Sequence, residues 1–343
     1  MADDEEMAAS PSAPSAPGRL LRSTLRGHRA SVLCLAADPA RARLASGSSD
    51  GTCRLWDLRV ASGAVRSVRA AAVGGEVSAV ALSARDEHLM LAASGCDLVG
   101  FDLRSERVLL QEPAQRVVGL AAEEINQVVV EPSGATAAVA EDGGAVHLVD
   151  LHTWQRERSF AGKHGHRSIC SSVAFRPGRT WGLASGGLDA TVCLWQRTGK
   201  GRQVQLNVDT GDESGAGAAG PQLCNPPWVH SVAYMEGGEA LAAALGDGSL
   251  ALLDAESGGV LHRLRGGHAS TVCQVLSTPF GLMSAGNDCH LCSWTSASER
   301  GAPPRLSLRA EHPEKVNWLA WLDGRLFVAD LSNNIACYEG FGC

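Results

Sequence analysis

Residues 46–59, SGSSDGTCRLWDLR, bring a serine, an aspartate, a Trp-Asp pair and an arginine together at short intervals. Gly47-Ser48-Ser49-Asp50-Gly51 has the G-x-S-x-G order that displays a nucleophilic serine on a strand-to-helix turn. Here it precedes an alternating strand-like run instead of a helix, so no nucleophile elbow is expected. Gly215 to Gly220 satisfies G-x-G-x-x-G, but Pro221 follows and no strand–helix context surrounds it. Cys289-His290-Leu291-Cys292 is half a zinc site with no second C-x-x-C to complete it. No Walker A string occurs. The chain therefore reads as a non-enzyme with no catalytic residue, no cofactor and no metal. What remains is Trp56-Asp57-Leu58-Arg59 and its echo Phe101-Asp102-Leu103-Arg104. An arginine presents a planar fork of donors suited to binding, and neither strand ending requires one.

The elements that carry these residues repeat. His28, Val32, Leu35 and Pro39 lie on a ruler that also lands on His166, Cys170, Val173 and Pro177, and on His268, Val272, Val275 and Pro279. His312, Val316 and Leu319 fit it, and Val77, Ile125 and Val229 open weaker copies without the histidine. The phase positions are 28, 73, 121, 166, 225, 268 and 312, so most intervals are 43–48 residues and one, the fourth, is 59. Downstream, Asp50, Asp189 and Asp288 each follow a serine by four residues (Ser46, Ser185, Ser284) and precede a tryptophan by six (Trp56, Trp195, Trp294). A period of 40–45 residues that opens on Gly-His and closes on Trp-Asp marks four-stranded propeller blades.

The chain resembles the WD-repeat β-propeller family over about residues 19–343. The resemblance implies an all-β fold of seven blades. It also implies that the aspartate of each repeat tightens a turn and pairs with the Gly-His histidine, while the serine and tryptophan complete a buried network. His28, Ser46, Asp50, His166, Ser185, Asp189, Trp195, His268, Ser284, Asp288 and Trp294 are then structural. The last copy holds only three strands, so residues 21–26 are expected to supply the seventh blade's outer strand and close the ring. Residues 202–209, RQVQLNVD, read as the fourth blade's outer strand, which leaves 210–227 as a long Gly-rich insert on the opposite face from the arginines.

The first Asp-Leu-Arg triplet is also similar to the box of cullin-RING ligase substrate receptors, which bind the damaged-DNA-binding adaptor through that arginine. EEIN (123–126), SICSSVAFRP (168–177) and EKVNWL (314–319) resemble a WD-repeat subgroup placed among those receptors. The implied partner surface is Trp56, Asp57, Arg59, Phe101, Asp102 and Arg104. Two features depart from the pattern: SASERGAPPR (296–305) is short, and Pro11, Pro14 and Pro17 break any N-terminal docking helix. The competing readings are a scaffold with no ligase link and a reader of histone-like peptide tails in the central channel.

Composition narrows the partners. The net charge is −7, and four acids at positions 3–6 leave the rest at −3. No basic stripe offers itself to nucleic acid, and no apolar run reaches the roughly 18 residues of a membrane span. Acids stand where a signal peptide needs bases, so a cytoplasmic or nuclear, monomeric protein is expected. The eleven cysteines are odd in number and scattered through apolar strands, which fits buried hydrophobes instead of disulfides. Residues 1–18, rich in Pro, Ala and Ser, read as a disordered tail.

Overall fold

The computed structural model describes residues 20–59, 64–69, 75–104, 109–110, 112–178, 182–196, 201–206, 226–295 and 302–341. Seven antiparallel sheets follow one another along the chain, and no α-helix occurs among these residues. Blade 1 is Val32–Asp38, Arg43–Ser48, Thr52–Asp57 and Ala64–Arg69; blade 2 is Ala79–Leu82, Leu89–Ser94, Asp97–Asp102 and Gln115–Val117. Blade 3 is Ile125–Val130, Thr136–Glu141, Val146–Asp150 and Gln155–Phe160; blade 4 is Cys170–Phe175, Leu183–Gly187, Thr191–Trp195 and Gly201–Gln205. Blade 5 is Val229–Tyr234, Ala240–Leu245, Leu250–Asp254 and Val260–Leu264; blade 6 is Val272–Thr278, Gly281–Gly286, His290–Thr295 and Arg305–Glu311. Blade 7 takes Val316–Leu322, Arg325–Asp330 and Asn334–Glu339 from the end of the chain and Leu21–Arg26 from its beginning.

That last pairing closes the ring as the repeat count required. Leu21 lies opposite Glu339 and Arg26 opposite Asn334, an antiparallel ladder that hides the edge of the third strand. A second closure runs along the inner strands. Asn317 donates from Nδ2 to the Val32 carbonyl at 2.9 Å and to the Asp330 carbonyl at 3.0 Å. Asn126 to Cys170 O (3.0 Å) and Ser171 to Val229 O (2.6 Å) repeat the device between other neighbours.

Second strands are buried almost throughout, as in Thr136–Glu141 and Ala240–Leu245. Each is covered on both faces by adjacent blades, so its apolar run is continuous instead of alternating, and small residues let the blades approach. The core is accordingly divided into clusters that each join two neighbouring blades. Cys34, Ala45, Val80, Met90 and Phe101 join blades 1 and 2, and Val32, Leu44, Trp56, Phe327 and Ile335 join blades 7 and 1.

Blade 1 departs from the four-stranded pattern. Leu109–Leu110, in the connection between the third and fourth strands of blade 2, reaches back and pairs parallel with Ala64–Arg69. Leu110 is buried in the cluster shared by the two blades. Blade 4's outer strand spans Gly201–Gln205, with Leu206 buried just after it; residues 207–209 of the expected 202–209 strand lie outside the described residues. Nearly all of the expected 210–227 insert, and the tail at 1–18, lie outside the described residues.

Candidate functional site

Three blades contain a serine, a histidine and an aspartate in the order of a hydrolase triad. In blade 1, His28 Nε2 is 2.7 Å from Ser46 Oγ and His28 Nδ1 is 3.1 Å from Asp50 Oδ2. Blade 4 matches it with His166, Ser185 and Asp189 at 2.8 and 3.1 Å. Blade 6 does so with His268, Ser284 and Asp288 at 2.8 and 3.1 Å. A fourth group rules out nucleophilic use. Trp56, Trp195 and Trp294 each donate from Nε1 to the serine oxygen, at 2.9, 2.9 and 2.8 Å. Ser46 and Ser185 are fully buried, with no path for a substrate.

One proton arrangement satisfies every atom: Trp N–H to Ser, Ser O–H to His Nε2, and His Nδ1–H to the carboxylate. The aspartate also accepts a backbone N–H at the start of the blade: Arg29 on Asp50, Arg167 on Asp189 and Ala269 on Asp288, each at 2.8 Å. Burial opposes charge on Asp288, but the His268 hydrogen bond and the Ala269 N–H outweigh it and hold the carboxyl at about 2. The ring must come close, so the residue opposite Cys170 or Val272 has to be small. A Cβ on Gly187 or Gly286 would stand 2.4 or 2.5 Å from the histidine Nδ1.

Blades 7 and 5 rewrite the network. In blade 7, Asp330 occupies the register position of those glycines, opposite Val316. Its carboxylate binds His312 Nε2 at 2.8 Å, while Tyr338 OH binds Nδ1 at 2.8 Å. The repeat ruler located His312 but missed its partners. Spacing could not have found them: the histidine-to-serine step is 18, 19 and 16 residues in blades 1, 4 and 6, and Asp330 stands at the glycine position instead of the serine one. Blade 5 uses Arg263 instead, bonded to Ser249 and ion-paired with Asp247.

Among the residues expected at a partner surface, two belong elsewhere. Trp56 and Phe101 are each 1% exposed, and Trp56 is committed to Ser46, so both are core and neither is able to touch a partner. The four that follow are at the surface. Asp57 and Asp102 end the third strands of adjacent blades, on the face that carries the turns between first and second strands. Arg59 donates from Nε and Nη2 to Asp57 at 2.9 and 2.6 Å, and its backbone N–H reaches the same carboxylate at 3.0 Å. Arg104 does the same to Asp102 at 2.9, 2.7 and 2.9 Å. The Arg104 side chain, followed by its N–H, draws the Asp102 carboxyl down to about 2. Even so, the arginine side chains are 67% and 70% exposed.

Blades 3 and 5 separate the aspartate's role from the arginine's. Asp150 accepts N–H groups from His152 and Thr153, and Asp254 accepts them from Glu256 and Ser257, with no arginine in the turn. Among the described residues the aspartate is thus a turn cap found in four blades, and the arginine is an addition found in two of those four. Their platform is tied together. Leu58 N–H donates to Ala42 O at 2.9 Å, and Leu103 N–H to His88 O at 2.7 Å. Arg41 and Arg43 both bind Asp38, and Arg41 crosses to Glu87 of blade 2.

No group of three or more metal-binding side chains occurs among the described residues, and no helix is long and apolar enough to cross a membrane. The model of the WD domain, G-beta repeat, matches residues 19–57 and 155–196. Over 92% of its length the chain is 26% identical to the WD repeat-containing protein 53 homolog of Dictyostelium discoideum, covering 93% of that protein. It is 30% identical over 53% of its length to mouse Striatin-4, of which it spans 23%. A segment covering 16% of the chain is 52% identical to the ribosome biogenesis protein YTM1 of Podospora anserina. With two repeats matched by that model, the blade network present in three copies and seven sheets closed into a ring, the chain is a seven-bladed WD40-repeat β-propeller.

Proposed function

We propose that this propeller is a non-catalytic protein-interaction module that serves as a substrate receptor of a cullin-RING ubiquitin ligase, docking the damaged-DNA-binding adaptor through Arg59 and Arg104. WD-repeat propellers of this kind act as interaction scaffolds, and the finer assignment rests on one observation. Among the described residues, four blades cap the turn after the third strand with an aspartate, and of these only blades 1 and 2 add an arginine that is both anchored and exposed. The side chain is held in place by its own carboxylate, so little rotamer entropy is lost when a partner binds. Asp57 occupies Nε and Nη2 of Arg59, which leaves Nη1 pointing away from the pair; Arg104 is held in the same way.

The test is co-purification of the adaptor, by mass spectrometry, with the unmodified chain and with Arg59→Ala, Arg104→Ala and the double variant. Each single change is expected to weaken binding roughly tenfold or more, the range of a lost charged hydrogen bond. The double change is expected to abolish it while the melting temperature holds. Lysine at either position should not restore it, because an ammonium lacks the fork. Full adaptor recovery with the double variant refutes docking through the two arginines, and no adaptor recovered with the unmodified chain refutes the receptor reading and leaves the general scaffold. The substrate, by the same reading, binds elsewhere on the ring, in the cytoplasm or nucleus.

A further inference from the structure

On the face that carries the two arginines, blades 6, 7 and 1 enclose a cavity of about 670 Å³. Its walls include Leu35, Pro39, Leu276, Leu319 and Trp321, and Phe280 stands at its edge. Phe280 is 50% exposed and meets the Trp321 ring edge-on at 6.1 Å. Gly281 makes this possible: its φ is +134°, and a Cβ there would lie 2.1 Å from the Trp294 carbonyl oxygen. A large ring held in solvent beside an apolar hollow leaves free energy available to a partner that covers both.

The cavity and the arginines form one strip. Pro39, in the cavity wall, opens the short turn Pro39–Arg41. The same turn sends Arg41 across to Glu87 in blade 2, and Ala42, just after it, accepts the N–H of Leu58 beside Arg59. The arginines of the strip are paired: Arg41, Arg43, Arg59 and Arg104 face Asp38, Asp57, Glu87 and Asp102, and Asp323 in the cavity wall adds one further carboxylate. Each exposed guanidinium already has a carboxylate, so another acid gains little there, whereas an uncharged oxygen still finds donors.

We propose that the cavity receives an apolar anchor, an aromatic or long aliphatic side chain, from the same adaptor that engages Arg59 and Arg104. The anchor is carried on an uncharged loop or helix C-terminus whose backbone carbonyls accept from the two guanidinium groups. This rests on the receptor reading for the partner's identity, while the occupant's chemistry follows from the strip itself. Because the partner segment brings no net charge to guanidinium groups already paired with carboxylates, the association depends only weakly on salt.

The experiment measures affinity of the full chain for the purified adaptor by calorimetry, at low and high salt. It compares Phe280→Ser, Phe280→Tyr and the Arg59→Ala, Arg104→Ala pair. Phe280→Ser is expected to weaken binding roughly tenfold, with the melting temperature kept because the ring is half in solvent. Phe280→Tyr is expected to restore it, and raising salt to change the affinity by less than about threefold. Loss on the arginine changes with full affinity in Phe280→Ser overturns the cavity inference and keeps the receptor reading. Loss in Phe280→Ser with no effect of the arginines keeps the anchor in the cavity and overturns docking through Arg59 and Arg104. A strong salt dependence overturns the uncharged partner. Tighter adaptor binding after deletion of residues 1–18, or a dimer that Phe280→Ser dissociates, assigns the cavity to this chain itself and overturns the proposal. No binding by the unmodified chain overturns both readings.

Discussion

Replacing Ser185 by alanine tests whether the triad-like network is a structural bolt. The hydroxyl is fully buried and accepts the Trp195 N–H at 2.9 Å while meeting His166 Nε2 at 2.8 Å. Its removal strands two buried polar groups at once. Each stranded group costs about 1–3 kcal/mol, so a total of about 2–4 kcal/mol is expected once the site relaxes. For the 343-residue chain, about 2.1 cal/mol/K of unfolding entropy per residue gives about 0.7 kcal/mol/K, and the melting temperature should fall by about 3–6 °C. Calorimetry on Ser185→Ala, Trp195→Phe and the double variant measures the coupling. Phenylalanine keeps a ring stacked on Phe160, now 4.5 Å from the tryptophan, and removes the stranded donor. The double variant should therefore be more stable than additivity predicts, by about 1 kcal/mol. A Ser185→Ala protein within about 0.5 kcal/mol of the original, or strict additivity, refutes the argument.

Two further outcomes follow from the same geometry. Asp50, Asp189 and Asp288 all titrate below the ordinary carboxylate value, because hydrogen bonds to the charged form outweigh the opposing effect of burial. A group that is harder to protonate folded than unfolded stabilises the fold above its unfolded value and loses that contribution as pH falls through the folded one. The melting temperature should accordingly drop between about pH 4 and pH 2, and the drop should be shallower in Asp288→Asn; an equal slope in both would refute it. Deleting residues 1–18 should leave size-exclusion elution and melting unchanged, whereas deleting 1–26 removes the strand paired with Asn334–Glu339 and should give aggregates. A monomeric, equally stable 1–26 deletion would contradict the ring closure.

The blade markers were legible because they act within one repeat. A histidine, a serine, an aspartate and a tryptophan bond to one another across three adjacent strands, and strand pairing converts that geometry into fixed steps along the chain. The serine, aspartate and tryptophan of each copy could be matched by counting, four and six residues apart, whereas the pairing of His28, His166 and His268 with them came from the family resemblance. The closing strand was legible for a similar reason: seven inner strands with one outer strand missing leave a single segment, Leu21–Arg26, to fill the gap. Other features depended on contacts between repeats, which no local spacing encodes. Trp56 and Phe101 flank the arginine triplets in the chain, yet the neighbouring blades bury them. Whether Asp57 serves its arginine or its turn was decided by Asp150 and Asp254, which cap without one. The return of Leu109–Leu110 to blade 1, and the hollow shared by Leu276, Trp321 and Pro39, join residues brought together by the closing of the ring. Exposure is a property of what packs alongside, and in a propeller the adjoining surface belongs to the next blade.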